Sequence, residues 1–128
     1  MQNTTNSLLV TELNHIAVYV RDLEHCAHFY GQVLGLSELA SPDFGFSVRW
    51  FSIGNQEIHL IHDPNRRSEG RAFHFALRVN DANAASVALR DLGVSDLRGP
   101  APRPDGAIQV FFNDPEGNEI EMVSFAQP

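Results

Sequence analysis

Three histidines and one glutamate occupy corresponding places in two similar parts of this sequence. HIAVYVRD begins at His15 and HFALRVND begins at His74, 59 residues later, and the two segments share a histidine, an alanine, a valine and an aspartate. QEIHLI and NEIEMV align in the same way, 62 residues apart, and this alignment pairs His59 with Glu121. Imidazole and carboxylate groups bind divalent ions such as zinc, nickel, iron, cobalt or manganese. The repeat therefore predicts a metal site built from His15, His59, His74 and Glu121.

Such a site would act on a small substrate as a Lewis acid. Three neutral imidazoles and one carboxylate leave a net positive centre with open positions for water or substrate oxygens. The ion would polarise a bound carbonyl or enolate oxygen and lower the pKa of adjacent protons. Glu121 is also the candidate catalytic residue, because a ligating carboxylate that loosens when substrate enters can accept a proton. The expected protein is an enzyme.

Four further side chains are candidates for the substrate pocket. Trp50 and Phe111 fall on predicted strands near the cavity and would form walls for an apolar or aromatic group. Arg49 and Arg103 would hold an anionic group, although a solvated surface position is the simpler interpretation of each. Glu57 and Glu119 share the faces of the predicted ligands and offer an alternative site; as charges near strand ends they are more simply explained as solvated.

The predicted ligands are placed by strand alternation. LNHIAVYV puts Ile16, Val18 and Val20 on one face of a strand and His15 on the other, beside the small Ala17, which leaves a hollow. A helix follows, with an aspartate before its first turn and Gly35 at its end. SVRWFSI and EIHLIH then form a hairpin.

The same order of elements is predicted a second time. AFHFALRV is a strand, residues 82–92 form a helix capped by Asp81, GPAPRPDG is a loop, and IQVFFN and EIEMVSF are the last strands. The predicted fold is α+β, with two βαβββ modules related by a pseudo-twofold axis and forming a curved mixed sheet. Residues 1–11 are expected to be a flexible lead, and residues 12–128 a single domain with modules at about 12–65 and 71–126.

Composition excludes several classes of protein. The formal net charge is −7 and the basic residues are scattered, so nucleic acid is not an expected partner. No apolar run approaches the roughly 20 residues that cross a bilayer, and the first residues are not typical of a signal peptide. The single cysteine, Cys26, cannot form an intramolecular disulfide. A cytoplasmic protein with no membrane partner is expected.

The motifs resemble the vicinal oxygen chelate superfamily, which includes glyoxalase I, bleomycin resistance proteins and extradiol dioxygenases. The matching stretches, which span nearly the whole chain after residue 12, are LNHIAVYVRDLEHCAHFYGQVLGL, EIHLIH, FHFALRV and FFNDPEGNEIEMV. The resemblance implies paired βαβββ modules and metal ligands at His15, His59, His74 and Glu121. It also implies a homodimer in which each cavity is assembled from modules of both subunits.

Three functions remain open within this resemblance. A glyoxalase-like lyase or isomerase comes first, although bacterial glyoxalase I generally has a carboxylate where this sequence has His59. An extradiol ring-cleaving dioxygenase comes second, because His15, His74 and Glu121 resemble its iron-binding triad. The third is a non-catalytic ligand-binding protein similar to the bleomycin resistance proteins, and it would need no metal.

Overall fold

Each half of the chain folds into a strand, a helix and three further strands in the computed structural model, which describes residues 9, 12–65 and 74–126. The first module contains β1 (His15–Val20), α1 (Leu23–His28) with a π-helical continuation (Phe29–Val33), β2 (Ser37–Leu39), β3 (Val48–Ile53) and β4 (Gln56–His62). The second contains β5 (His74–Arg78), α2 (Ala82–Asp91), β6 (Arg98–Pro102), β7 (Ile108–Asn113) and β8 (Glu119–Ser124). Apart from Leu9, the predicted lead at residues 1–11 lies outside the described residues.

The strands form two four-stranded mixed sheets with the same order. The first sheet runs β1-β4-β3-β2 and the second runs β5-β8-β7-β6. In both, the outer pair (β1 with β4, β5 with β8) is parallel and the other pairs are antiparallel. The duplicated βαβββ architecture predicted from the sequence is confirmed, and its strands are divided between two sheets.

Two strands of the predicted βαβββ modules had not been located in the sequence, and both lie at a sheet edge. β2 has three residues, which is too short to show a period. β6 covers Arg98–Pro102, so the proline- and glycine-rich loop predicted at 99–106 is wrong for residues 99–102. A proline has no N–H to donate, and an edge strand tolerates it because one side of the strand has no partner. The pairing of β6 with β7 is irregular between Arg98 and Ala101.

Gly99 on β6 has little room for a side chain. Its φ is 100°, and a Cβ there would lie 2.9 Å from the carbonyl oxygen of Gln109. Gly93 has the same φ of 100° but no atom within 4 Å of the added carbon. We expect Gly93→Ala to lower the free energy of unfolding by about 1–2 kcal/mol, because alanine is strained at this positive φ. Gly99→Ala should lower the free energy of unfolding by at least about 1 kcal/mol more, because its Cβ would also clash with the Gln109 carbonyl oxygen. Urea unfolding of both variants tests this, and equal costs would contradict the predicted clash.

Both helices begin as the sequence predicts, at an aspartate cap. Asp22 Oδ1 accepts a hydrogen bond from the backbone N–H of His25 at 3.1 Å, and Asp81 Oδ1 accepts from Asn83 and Ala84. The first helix differs from the predicted α-helix, because its second half has π-helical hydrogen bonding. This wider turn accompanies the burial of two adjacent aromatic residues, Phe29 and Tyr30.

The buried side chains of both modules form one apolar cluster on the helix-covered sides of the sheets. It includes Val18, Phe51 and Leu60 from the first sheet and Phe112 and Ile120 from the second. These positions alternate with the predicted ligands along the strands, so the ligands lie on the faces turned away from the core. No helix in the part of the chain described here is long and apolar enough to span a membrane.

The turn between β7 and β8 joins the second module to the first helix. The buried carboxylate of Asp114 accepts a hydrogen bond from the Tyr30 hydroxyl at 2.8 Å. Glu116 accepts from the Arg21 guanidinium at 3.1 Å and from the backbone N–H of Asp22 at 2.9 Å. Burial raises the pKa of Glu116, but these hydrogen bonds outweigh it and leave that pKa below its usual value. This turn, with the sequence DPEG at residues 114–117, therefore helps to fix the relative position of the two modules.

Candidate metal centre

In the first module, His59 lies at the centre of a group of stacked rings. The strand register places His59 on β4 between Ala17 of β1 and Trp50 of β3. The Trp50 ring stacks on His59 with centroids 3.8 Å apart and planes inclined by 2°, and the His15 ring stacks on it at 4.0 Å and 15°. These neighbours leave His59 only 8% exposed. His15 and His59, two of the predicted ligands, are therefore in direct contact.

In the second module, Glu121 occupies the equivalent position. It lies on β8 between Ala76 of β5 and Phe111 of β7. Its Oε1 is 3.2 Å from His74 Nε2, and its Oε2 accepts a hydrogen bond from Gln109 Nε2 at 2.8 Å. Phe111 contacts the His74 ring edge to face, with centroids 5.7 Å apart. The other two predicted ligands are thus also in contact, and Phe111 lies against them as a pocket wall would.

Three further residues support these pairs: Glu57 and Glu119, which the sequence offered only as an alternative site, and Gln109, which was not predicted. Glu57 Oε1 lies 2.7 Å from His59 Nε2, and Glu119 Oε1 lies 3.9 Å from His74 Nδ1. Both glutamates are half-buried rather than fully solvated, because each shares its face with the histidine it contacts. Gln109 orients the Glu121 carboxylate from β7. Carboxylates and amides in such positions orient metal ligands. Glu57 and Glu119 each lie two residues from a predicted ligand, and Gln109 lies two residues from Phe111. This spacing puts all three on the same faces as the predicted ligands and is the sequence signal for them.

The structure gathers the predicted ligands as two pairs and not as one group of four. Across residues 12–65 and 74–126, no group of three or more histidine, cysteine, aspartate or glutamate side chains is arranged to hold a metal ion. His15 and His59 belong to the first module, and His74 and Glu121 to the second. Each pair lies on the face of its own sheet opposite the shared core, and among the described residues no hydrogen bond, ion pair or ring contact joins one pair to the other.

The donor chemistry of the pairs fits a divalent cation. Glu121 is 5% exposed, and among the described residues its ion-pair partner is His74. A carboxylate removed from water requires a positive partner, and a histidine supplies one only when protonated. The three imidazoles and this carboxylate form a set typical of zinc, nickel, iron or cobalt sites.

The two candidate arginines lie in different places. Arg49 alternates with Trp50 along β3, so its guanidinium is on the helix-covered face, where Nη1 and Nη2 donate to Glu24 and Glu38 at 2.9 Å. Arg49 is therefore removed from the pocket that was predicted for it. Arg103 donates to Asp105 at 2.7 Å. This hydrogen bond raises the pKa of Arg103, and the charges of Asp105 and Glu121 add to the rise. The guanidinium carbon of Arg103 lies 5.5 Å from the centre of the Phe125 ring.

Comparison with known proteins gives a consistent family. A family model described as the Glyoxalase/Bleomycin resistance protein/Dioxygenase superfamily matches residues 12–122. The chain is 30% identical to the lactoylglutathione lyase of Neisseria meningitidis over 87% of its length and 88% of that protein. It is 34% identical to human mitochondrial methylmalonyl-CoA epimerase over 66% of its length, and spans 56% of that relative. A glyoxalase/dioxygenase from Nostoc punctiforme superposes with a TM-score of 0.78 at 24% identity, over 99% of both chains.

Proposed function

The chain belongs to the Glyoxalase/Bleomycin resistance protein/Dioxygenase superfamily, and we propose that it is a divalent-metal-dependent enzyme of the lyase or isomerase type that binds vicinal oxygens of a small substrate. The chain's relatives include a lactoylglutathione lyase and methylmalonyl-CoA epimerases. A buried carboxylate beside a metal site can move a proton next to a substrate carbonyl group.

The proposed metal centre is shared between the two subunits of a homodimer. His15 and His59 of one subunit and His74 and Glu121 of the other would hold zinc, nickel, iron, cobalt or manganese. Two features support this arrangement: each module gathers one pair, and each pair faces away from the core of its own chain. A twofold symmetric dimer would then contain two equivalent centres.

The buried carboxylate of Glu121 is the observation that carries the proposal. When bound, the metal ion would supply Lewis-acid polarisation of a substrate carbonyl oxygen. Gln109 holds Oε2 of Glu121 at 2.8 Å, so the carboxylate has a fixed orientation in which Oε1 points to His74. Burial keeps water away from this carboxylate. Glu121 is therefore the group that would accept and return the substrate proton.

One observation favours ring-cleaving dioxygenase activity as the second candidate. His59 Nε2 is within hydrogen-bond distance of Glu57, and the His59 ring is stacked against Trp50 and His15. If His59 keeps these contacts, the ligand set reduces to His15, His74 and Glu121. Two histidines and one carboxylate form the facial triad typical of iron-dependent oxygenases.

The metal requirement and the reaction can be tested on the full chain purified without a histidine tag. We expect about one bound metal ion per subunit by elemental analysis, because each dimer would contain two sites. Activity of the nickel, zinc or cobalt protein on a hemithioacetal would support the lyase. Oxygen consumption by the ferrous protein on catechols would support the dioxygenase instead.

His62 provides the matched control for the role of His59. Both lie on β4, but His62 is exposed and alternates to the other face. His59→Ala should lower the metal affinity by about 10-fold or more, and His62→Ala should leave it unchanged. A wild-type protein that binds no stoichiometric metal would refute the enzyme and favour a non-catalytic ligand-binding protein.

A further inference from the structure

Two arginines, Arg78 and Arg103, contact the Phe125 ring on the side of the second sheet that carries the predicted ligands. Arg78 lies on β5 two residues beyond Ala76, and the register pairs it with Val123, two residues beyond Glu121. Its guanidinium carbon is 4.7 Å from the centre of the Phe125 ring, and that of Arg103 is 5.5 Å from the same centre. Stacking on an aromatic ring holds a guanidinium in place while its N–H edges stay available.

These guanidinium groups retain capacity to bind an anion. Among the described residues, Arg78 has no carboxylate within ion-pair distance, and its side chain is at an exposed position. Arg103 uses Nε and Nη2 for Asp105, and within the described part of the chain no hydrogen bond engages its Nη1. The chain as a whole carries a net charge of −7. Arg78 therefore contributes a positive charge that no described carboxylate pairs, and Arg103 contributes a free Nη1 donor beside it, although the charge of Arg103 is offset by Asp105.

The equivalent face of the first module has a different character. Tyr19 occupies the repeat position of Arg78, and Asp63 occupies that of Phe125. Beside it, Phe44 lies 6.0 Å from Trp50 and 5.6 Å from Phe46, and both phenylalanines are exposed. The two modules share their fold and their ligand positions, but they differ in the side chains beyond those ligands. One face is aromatic and the other is cationic.

We propose that Arg78 and Arg103, positioned on Phe125, bind an oxyanion group of the substrate next to Glu121, while Phe44 and Trp50 of the other subunit contact a flat apolar group of the same molecule. The substrate class is thus a small aromatic or similarly flat carboxylate, phosphonate or phosphate. A forked guanidinium matches the paired oxygens of each of these groups. The placement of a reacting group near the metal rests on the proposed function, but oxyanion binding itself needs no metal.

The test uses chelator-treated full-length protein and isothermal titration calorimetry. The probes are benzoylformate, phenylphosphonate and the neutral methyl ester of benzoylformate. We expect the two anions to bind at least about 10-fold more tightly than the ester, because only they can form charge-assisted hydrogen bonds. Arg78→Gln and Arg103→Gln should each weaken anion binding by about 10-fold and leave ester binding unchanged. The tighter of the two anions identifies the oxyanion.

Arg90→Gln is the matched control, since Arg90 is an exposed arginine on α2 that has no part in either site. It should bind all three probes like the wild type. Equal affinity for the acid and its ester, or unchanged anion binding in Arg78→Gln, would overturn the proposal. Arg78→Gln keeps all four proposed metal ligands, so its metal content should equal that of the wild type. A failure of oxyanion binding can therefore be distinguished from a failure of the proposed metal centre by elemental analysis. Circular dichroism of each variant verifies folding.

Discussion

A mixed dimer of one His15→Ala subunit and one Glu121→Ala subunit is expected to keep about half of the wild-type metal content, whereas each variant alone loses nearly all of it. The reason is the separation of the ligand pairs between the two modules of a chain. In the mixed dimer one centre combines both substitutions, and the other combines an intact first module with an intact second module. Only the shared arrangement regenerates a complete set of ligands from two defective chains.

The experiment requires co-expression of the two subunits with different tags that contain no histidine. Two successive affinity steps isolate the mixed dimer, and elemental analysis measures its metal. The control is a mixed dimer of His15→Ala with His59→Ala, in which both centres lack a ligand because both substitutions fall in the first module. That control should stay empty. A monomer by light scattering, or an empty His15→Ala with Glu121→Ala dimer, would contradict the shared centre.

The sequence predicts the ligand-bearing faces because burial alternates cleanly along the first strand of each module. Val18 and Val20 are buried on β1 while His15 and Ala17 are exposed, as their spacing indicates. The same alternation places Arg49 away from Trp50, since neighbouring strand residues point to opposite faces. The face of β3 on which Arg49 lies could therefore have been predicted from the sequence.

Other features depend on cross-strand register, which the repeat does not specify. Gln109 reaches Glu121 because β7 pairs with β8 in one particular register, and Arg78 reaches Phe125 because β5 and β8 end together. The short edge strands β2 and β6 carry too little periodicity to be recognised. The relative position of the modules depends on the contacts of Asp114 and Glu116 with the first module. The sequence predicts only a turn at these residues, because their partners are distant along the chain.

The Asp114→Ala variant is expected to lose about 3–5 kcal/mol of folding free energy, a large effect for one side chain. Asp114 is 4% exposed and accepts hydrogen bonds from the Tyr30 hydroxyl, the backbone N–H groups of Glu116 and Asn118, and the Asn118 amide. Without it, these donors lose their acceptor where water has little access, and Tyr30 is fully buried. Urea unfolding followed by circular dichroism measures the loss.

Two variants separate the cost of burial from the cost of one hydrogen bond. Tyr30→Phe removes the hydroxyl but leaves the other donors to Asp114, so it should cost only about 1–2 kcal/mol. Asp43→Ala removes an exposed turn aspartate that accepts from the Gly45 N–H at 2.9 Å, and it should cost less than about 1 kcal/mol because water replaces the carboxylate. If Asp114→Ala cost no more than Asp43→Ala, the β7–β8 turn would not be what holds the second module against the first helix. The ligand pairs would then lack the fixed separation from which the shared centre is inferred.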